Sequence, residues 1–244
     1  MIEARGLRKT FAEPVLRGVD LTVPRGCLYG LIGPGAAGKS TLLKCLVGLV
    51  RADAGAVRIG DDTVTDLDEI ALQRVRARVG MLFQNYALFD WLSVKENIAF
   101  PLRRLGVTDE DEIAARVRDR LAAVSLAGFE DRAIAGLSGG QKKRVGVARA
   151  TVTRAEVVLY DEPAAGLDPV TSQKIFDLLR REQRESGATV LMVSSDIDRL
   201  LPVCDRVGMM HRGRLIFDGT VDEARASTHP AVKQFVHAEV DGPL

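Results

Sequence analysis

A short apolar run from Cys27 to Ile32, a glycine-rich turn from Gly33 to Gly38 and a leucine-rich segment behind it restrict this chain more than any other stretch. The run has the length and composition of a buried strand, and Leu42, Leu43, Leu46 and Val47 recur at helical spacing. Between them the pattern G-x-x-x-x-G-K-[ST] is met at Gly33, Gly38, Lys39 and Ser40. In a strand–loop–helix order the loop's N–H groups can turn inward, and the positive end of the helix adds to them, so the stretch is suited to hold phosphates. Lys39 would reach the β- and γ-phosphates of a nucleotide, and the Ser40 hydroxyl would ligate Mg²⁺. An incidental Lys-Ser in a glycine-rich turn is the alternative, and context and spacing both speak against it.

The 244 residues suffice for one large domain or two small ones. A hydrophobic content of 46% and a charged content of 27% fit a globular protein with a substantial core. The formal net charge of +1 gives no global field toward nucleic acid or an anionic membrane. No apolar run is long enough to span a bilayer, and the first residues, MIEARGLRKT, lack the apolar centre of a signal peptide. Cys27, Cys45 and Cys204 lie far apart in apolar surroundings, so they are expected as buried reduced thiols rather than a disulfide or metal site.

Along the chain, Val19, Leu21 and Val23 alternate with Asp20 and Thr22 as one dry and one wet face of a strand, and Pro24-Arg25-Gly26 turns toward the phosphate loop. Phe11, by itself, is expected as a core aromatic. Ala56–Ile59 and Val79–Phe83 have strand character, with a charged helix predicted over Asp66–Arg78. From Asn85 to about Gly128 the periodicity turns helical. Thr108-Asp109-Glu110-Asp111 has the pattern of a capping box. Behind it Ile113, Val117, Leu121 and Val124 form an apolar stripe, with Arg116, Arg118, Asp119 and Arg120 expected to face water. An α/β rhythm returns at Glu156: a strand over Val157–Tyr160, an amphipathic helix over Thr171–Glu185, a strand over Ala188–Val193, and a hairpin around His211-Arg212-Gly213.

Two constellations complete a nucleotide site. Asp161, at the end of a buried strand downstream of the phosphate loop, would hold Mg²⁺ through water, and Glu162 beside it could serve as general base. Leu137-Ser138-Gly139-Gly140-Gln141 puts a hydroxyl and free N–H groups at a helix start, another anion-binding arrangement.

With these motifs together the chain resembles, over nearly its full length, the ATP-binding subunit of ABC transporters. The phosphate loop from Gly33 to Thr41, the LSGGQ signature at 137–141, Asp161-Glu162-Pro163 and the loop Gly166-Leu167-Asp168-Pro169 carry the likeness. It implies an α/β fold: a P-loop ABC-type ATPase core (1–84 and 156–220) with an N-terminal antiparallel β subdomain, an inserted α-helical subdomain (85–155) and a C-terminal helical tail (221–244). It implies ATP and Mg²⁺ as cofactors, held by Gly33, Gly35, Ala36, Ala37, Gly38, Lys39, Ser40 and Thr41. It makes Gln84 the residue that senses the γ-phosphate and the metal, and moves Phe11 from the core to the adenine ring. It implies a head-to-tail dimer in which Ser138–Gln141 and Asp168 of one copy complete the ATP site of the other.

A narrower likeness, to Mla-type phospholipid transport ATPases, rests on Ala87-Leu88-Phe89, on the run from Ser93 to Leu102, and on Pro230, Val232, Gln234, Phe235 and Asp241-Gly242-Pro243. It implies phospholipid transport through an inner-membrane permease, with the chain on the cytoplasmic face and no nucleic-acid partner. The permease would be contacted near Tyr86, Phe89 and Trp91; an accessory subunit and a lipid-binding protein are further implied partners. The stripe Val232, Phe235 and Val236 is expected either to dock on a neighbour or to pack on its own domain. Other readings are an ATPase importing another substrate such as an amino acid, a soluble ABC ATPase without a permease, and a non-hydrolysing regulatory subunit.

Two positions depart from the family pattern. Ala36 stands where the loop usually has glycine, and Gly35 beside it is expected to supply the flexibility. Ser195 stands where the family has a switch histidine after the last buried strand, which predicts slowed hydrolysis or a water reached through Ser195.

Overall fold

The computed structural model describes residues 1–244. Strands β1 (Ile2–Thr10) and β2 (Pro14–Val23) open the chain, and β3 (Leu28–Ile32) leads through the phosphate loop into helix α1 (Lys39–Leu46). Then come β4 (Ala54–Ile59), β5 (Asp62–Thr63), α2 (Glu69–Ala77) and β6 (Val79–Leu82). Three helices follow: α3 (Val94–Arg104), α4 (Glu110–Ala123) and α5 (Gly139–Thr151). The chain returns through β7 (Val157–Asp161), α6 (Pro169–Ser186), β8 (Thr189–Val193) and a single turn, α7 (Ile197–Leu200). It ends with β9 (Arg206–His211), β10 (Arg214–Thr220), α8 (Val221–Arg225) and α9 (Pro230–Val236).

The strands form two sheets. One has the order β2-β1-β4-β5 and is antiparallel throughout. The other has the order β10-β9-β3-β8-β7-β6, parallel except for β10 at its edge. Alternation in the parallel strands fixes the layers, because successive side chains leave a strand on opposite faces. Tyr29, Leu31, Val157, Leu159, Leu191 and Val193 point into a core shared with α1 and the antiparallel sheet. Leu28, Ile32, Val158, Tyr160, Val190 and Met192 point the other way, into a core built with α3 to α6 and the C-terminal helices. The wet-and-dry reading of β2 holds: Val19, Leu21 and Val23 are all buried.

Register then places the chemistry. Val193, the last residue of β8, pairs with Leu31 on one side and Asp161 on the other. The phosphate loop, Asp161-Glu162 and Ser194-Ser195 therefore leave neighbouring strands at one edge, the carboxyl end where parallel sheets bind ligands.

Several local expectations are corrected. Thr108 does not cap α4; Asp109 does, accepting from the Asp111 and Glu112 N–H groups, because an Asp carboxylate already serves the first turn. Arg120 does not face water but pairs with Glu182 on α6. The stripe on α9 packs on its own domain: Val232 is fully buried, and Phe235 and Val236 lie against the same core. Helix does not begin at Asn85; residues 85–93 are loop and turn up to the capping box of Ser93 and Glu96 that starts α3. The three cysteines are free; burial pushes the Cys27 and Cys45 thiols up to about 11, and that of Cys204 up as well.

Candidate nucleotide site and the groove behind it

The phosphate loop is set by backbone torsions. Gly33 and Gly38 take φ of 139° and 98°, in the region that favours glycine. Gly35 does not supply the missing freedom: Ala36 itself stands at φ 58°, while Gly35 keeps an ordinary torsion. The loop thus keeps its shape at the cost of a methyl group in a left-handed residue, about 1 kcal/mol.

Lys39 curls over the loop and donates to the Gly33 and Pro34 carbonyl oxygens at 2.6 and 2.9 Å. Burial pulls its pKa down, and the nearby Glu162 and Asp161 carboxylates oppose that. The Ser40 hydroxyl donates to Asp161 Oδ1 at 3.1 Å. Asp161 is only 3% exposed, and its burial raises its pKa. A hydroxyl and a buried carboxylate, both hard oxygen donors within contact of each other, fit Mg²⁺, and a lysine whose present partners are carbonyl oxygens fits a phosphate.

Glu162 is a non-glycine residue at φ 54°, a torsion that persists only where the surroundings impose it. Its N–H donates to the Val193 carbonyl at 2.9 Å. Its carboxylate is clasped by Ser195, whose N–H and hydroxyl both donate to Oε2 at 3.1 Å. Oε1 is left without a protein donor. Ser195 thus touches the acid itself, a contact that its place in the sequence did not predict. Glu162, Ser195 and the loop around Gly166 line an open hollow of about 280 Å³.

Lys39, Ser40, Asp161, Glu162 and Ser195 are one assembly. Outside the phosphate loop, the remaining sequence-selected residues, Phe11, Gln84, Ser138–Gln141 and Asp168, are not hydrogen-bonded to it. Phe11 is 58% exposed in the turn between β1 and β2, with Lys9 Nζ 5.3 Å from its ring, which overturns its reading as a core aromatic. Gln84 is exposed at the end of β6. Ser138 and Gln141 form a capping box at the start of α5, leaving Gly139 at its exposed first turn. Asp168 caps α6; hydrogen bonds from Thr171 hold its carboxyl below the usual range.

Two residues with clear roles gave no sequence signal beyond their charge. Lys143, inside α5, is 3% exposed and donates to the Glu162 and Ala165 carbonyls, both at 2.9 Å. Arg149, near the end of the same helix, donates to the Tyr86 and Ala87 carbonyls at 2.6 and 2.7 Å. Those two residues are consecutive and left-handed, at φ 59° and 50°. Close packing beside them is allowed by Gly146, where a Cβ would fall 2.9 Å from Leu82. Around this loop Phe83, Phe89, Phe100 and Pro101 line a groove of about 600 Å³. Phe89 stacks obliquely on Phe100 and on Trp91, and Trp91 is 79% exposed, so the aromatic cluster is not wholly core.

The ABC transporter family model matches residues 16–165. Over its whole length the chain is 40% identical to the methionine import ATP-binding protein MetN of Caulobacter vibrioides, of which it covers 74%. It is 39% identical to the protein of that name from Bordetella pertussis, covering 69% of it. Among solved structures it superposes with a TM-score of 0.87 on MJ0796, a bacterial ABC transporter cassette in dimeric form. That likeness has 30% identity and covers 91% of this chain and 99% of the other. A post-hydrolysis dimer of the same cassette bound to ADP and Pi gives a TM-score of 0.85, with 29% identity and coverage of 91% and 99%. Relatives named for methionine import correct the Mla-type phospholipid likeness, and the implied lipid-binding partner falls with it. The physical reason is visible in the fold. The Ser93–Glu96 capping box starts α3, Ile98, Ala99 and Leu102 of the same run are buried in the core, and the tail packs there too, so both segments serve the cassette's own fold.

Proposed function

From the ABC transporter family, to which this chain belongs as an ATP-binding subunit, we propose an ATPase that powers import of a small amino acid, methionine, through a membrane permease. The observation that carries the substrate is likeness to methionine import ATPases over the whole chain. The observation that carries the chemistry is the assembly of Lys39, Ser40, Asp161 and Glu162 at one sheet edge. No helix is long and apolar enough to cross a membrane, so passage itself falls to the permease. We place the chain on the cytoplasmic face of the inner membrane, with the aromatic groove at Tyr86, Phe89 and Trp91 against the permease. The chain works as one cassette over 1–244, with the helices of 85–155 inserted in the α/β core.

The steps follow from the residues. The N–H groups from Gly33 to Thr41 cradle the phosphates, and Lys39 exchanges its two carbonyl partners for β- and γ-phosphate oxygens. Phe11 offers its exposed ring to the adenine. Ser40 would hold Mg²⁺ directly, Asp161 through water and Gln84 from the end of β6; when bound, the ion supplies neutralisation of the β- and γ-oxygens. Glu162 takes a proton from the attacking water on Oε1, because Oε2 is already engaged by both Ser195 donors. Two copies face each other head to tail, so that Ser138, Gly139, Gly140, Gln141 and Asp168 of a second copy close on the ATP. The dimeric form of the similar cassette supports the pairing of two copies.

Removing this subunit from its host is expected to reduce uptake of radiolabelled methionine to the level of de-energised cells. Unchanged uptake would exclude methionine as the substrate. The role of Ser195 is read separately. Ser195→Ala deletes one of the two bonds to Glu162 and leaves the backbone one, so kcat should fall about tenfold, the worth of one hydrogen bond to a charged group. KM for ATP should be unchanged, and an unaltered kcat would leave the serine without a part in the reaction.

A further inference from the structure

Helix α5 begins in the signature and, less than two turns on, carries a buried ammonium that holds the backbone of the general base. Five residues along a helix span about 7.5 Å, so Ser138 and Lys143 move as parts of one rigid body. Lys143 Nζ is bound to the carbonyl of Glu162 and to that of Ala165, three residues before Asp168. The Tyr86 ring lies 5.3 Å from it. A buried charge keeps its place only where such partners hold it, and here both partners are main-chain groups of the catalytic loop.

We propose that Lys143 is a positioning residue that couples the two ATP sites of the dimer. The inference rests on the head-to-tail dimer proposed above. In that dimer the signature of one copy touches the ATP bound by the other, while Glu162 of the same copy serves its own ATP. Seating the signature moves α5, and α5 moves the Glu162 carbonyl through Lys143. Glu162 is sensitive to such a shift because its left-handed torsion is set from outside. Val193 holds its N–H, Lys143 its carbonyl and Ser195 its carboxylate. Ligand at one site thereby sets the aim of the base at the other.

The test is the shape of the ATP dependence of steady-state hydrolysis by the full chain. The parent protein should give a sigmoidal curve with a Hill coefficient between about 1 and 2, as two coupled sites require. Lys143→Met, which removes the donors at similar volume, should give a hyperbolic curve with a Hill coefficient of about 1. Its kcat should fall about tenfold at unchanged ATP affinity. Lys143→Arg, which keeps two donors, should restore the sigmoid. A merely structural lysine would lower the active fraction and leave the curve's shape alone. If the Met variant does not fold, Lys143→Gln takes its place with the same loss of cooperativity expected. A sigmoid retained in the variant overturns the coupling role and leaves the dimer standing. A hyperbolic parent curve overturns the paired sites, and the coupling with them.

Discussion

Glu162→Gln is expected to bind ATP as tightly as the parent and to hydrolyse it about 10²- to 10⁴-fold more slowly, the range in which a positioned proton acceptor contributes. The substitution is nearly isosteric. Its amide oxygen can accept the Ser195 N–H and hydroxyl as Oε2 does now, and its main chain keeps the bonds to Val193 and Lys143. What changes is the second position of the group, where an NH₂ replaces the oxygen that would receive the proton. Thermal stability should stay close to the parent's, and nucleotide should be trapped rather than turned over. Steady-state phosphate release together with equilibrium ATP binding makes the measurement. Turnover within a factor of ten of the parent would mean that the proton leaves by another route.

Gly33→Ala is the second large effect and acts on the fold as well as on the site. A Cβ built on Gly33 falls 2.1 Å from the Met210 carbonyl oxygen on β9, and the backbone there has φ 139°. Neither side can yield cheaply, because both are main chain within or next to paired strands. Strained torsion and forced displacement together should cost about 3 kcal/mol or more. At about 2–4 °C per kcal/mol for a chain of this size, the melting temperature should drop by about 6–12 °C. ATP binding should be lost with it, since the loop pivots on that residue. Gly35→Ala is the control: nothing lies within 4 Å of its built Cβ, and its torsion is ordinary, so the change should stay within about 0.5 kcal/mol. Equal stability of the two variants would refute the close approach between the loop and β9.

What could be seen in the sequence was what depends on near neighbours. The phosphate loop announces itself because its glycines, lysine and serine act within a few residues of one another. The parallel strands were visible because burial on both faces makes them continuously apolar, and α6 because its stripe has helical spacing. The family's α/β fold with an antiparallel β subdomain followed from motifs of that kind. Ser40 and Asp161 lie 121 residues apart, yet both could be given to one Mg²⁺, because an acid ending a buried strand downstream of a phosphate loop is the second half of such a site. Lys143 and Arg149 were not visible as anything but charge. Each finds its partners in loops 19 to 63 residues away, and a lysine within Lys142-Lys143-Arg144 looks like a wetted face. Ser195 could be noticed as the wrong residue for its position, but its clasp on Glu162 depends on β7 and β8 lying side by side. The phospholipid likeness failed for a related reason: the residues that suggested it cap and pack the cassette's own elements, as Ser93 and Glu96 do at α3 and Val232 does on α9.

The arginine beneath the aromatic groove has a consequence for anyone who would move that groove elsewhere. Tyr86 and Ala87 are bent against their own preference, and Arg149 holds both carbonyls from another helix. The loop therefore carries only half of the instructions for its own shape. A chimera that borrows residues 84–92 without the matching end of α5 would inherit the letters and not the surface they form here. Exchange of this groove between such cassettes has to take the loop and its distant arginine as one transferable unit.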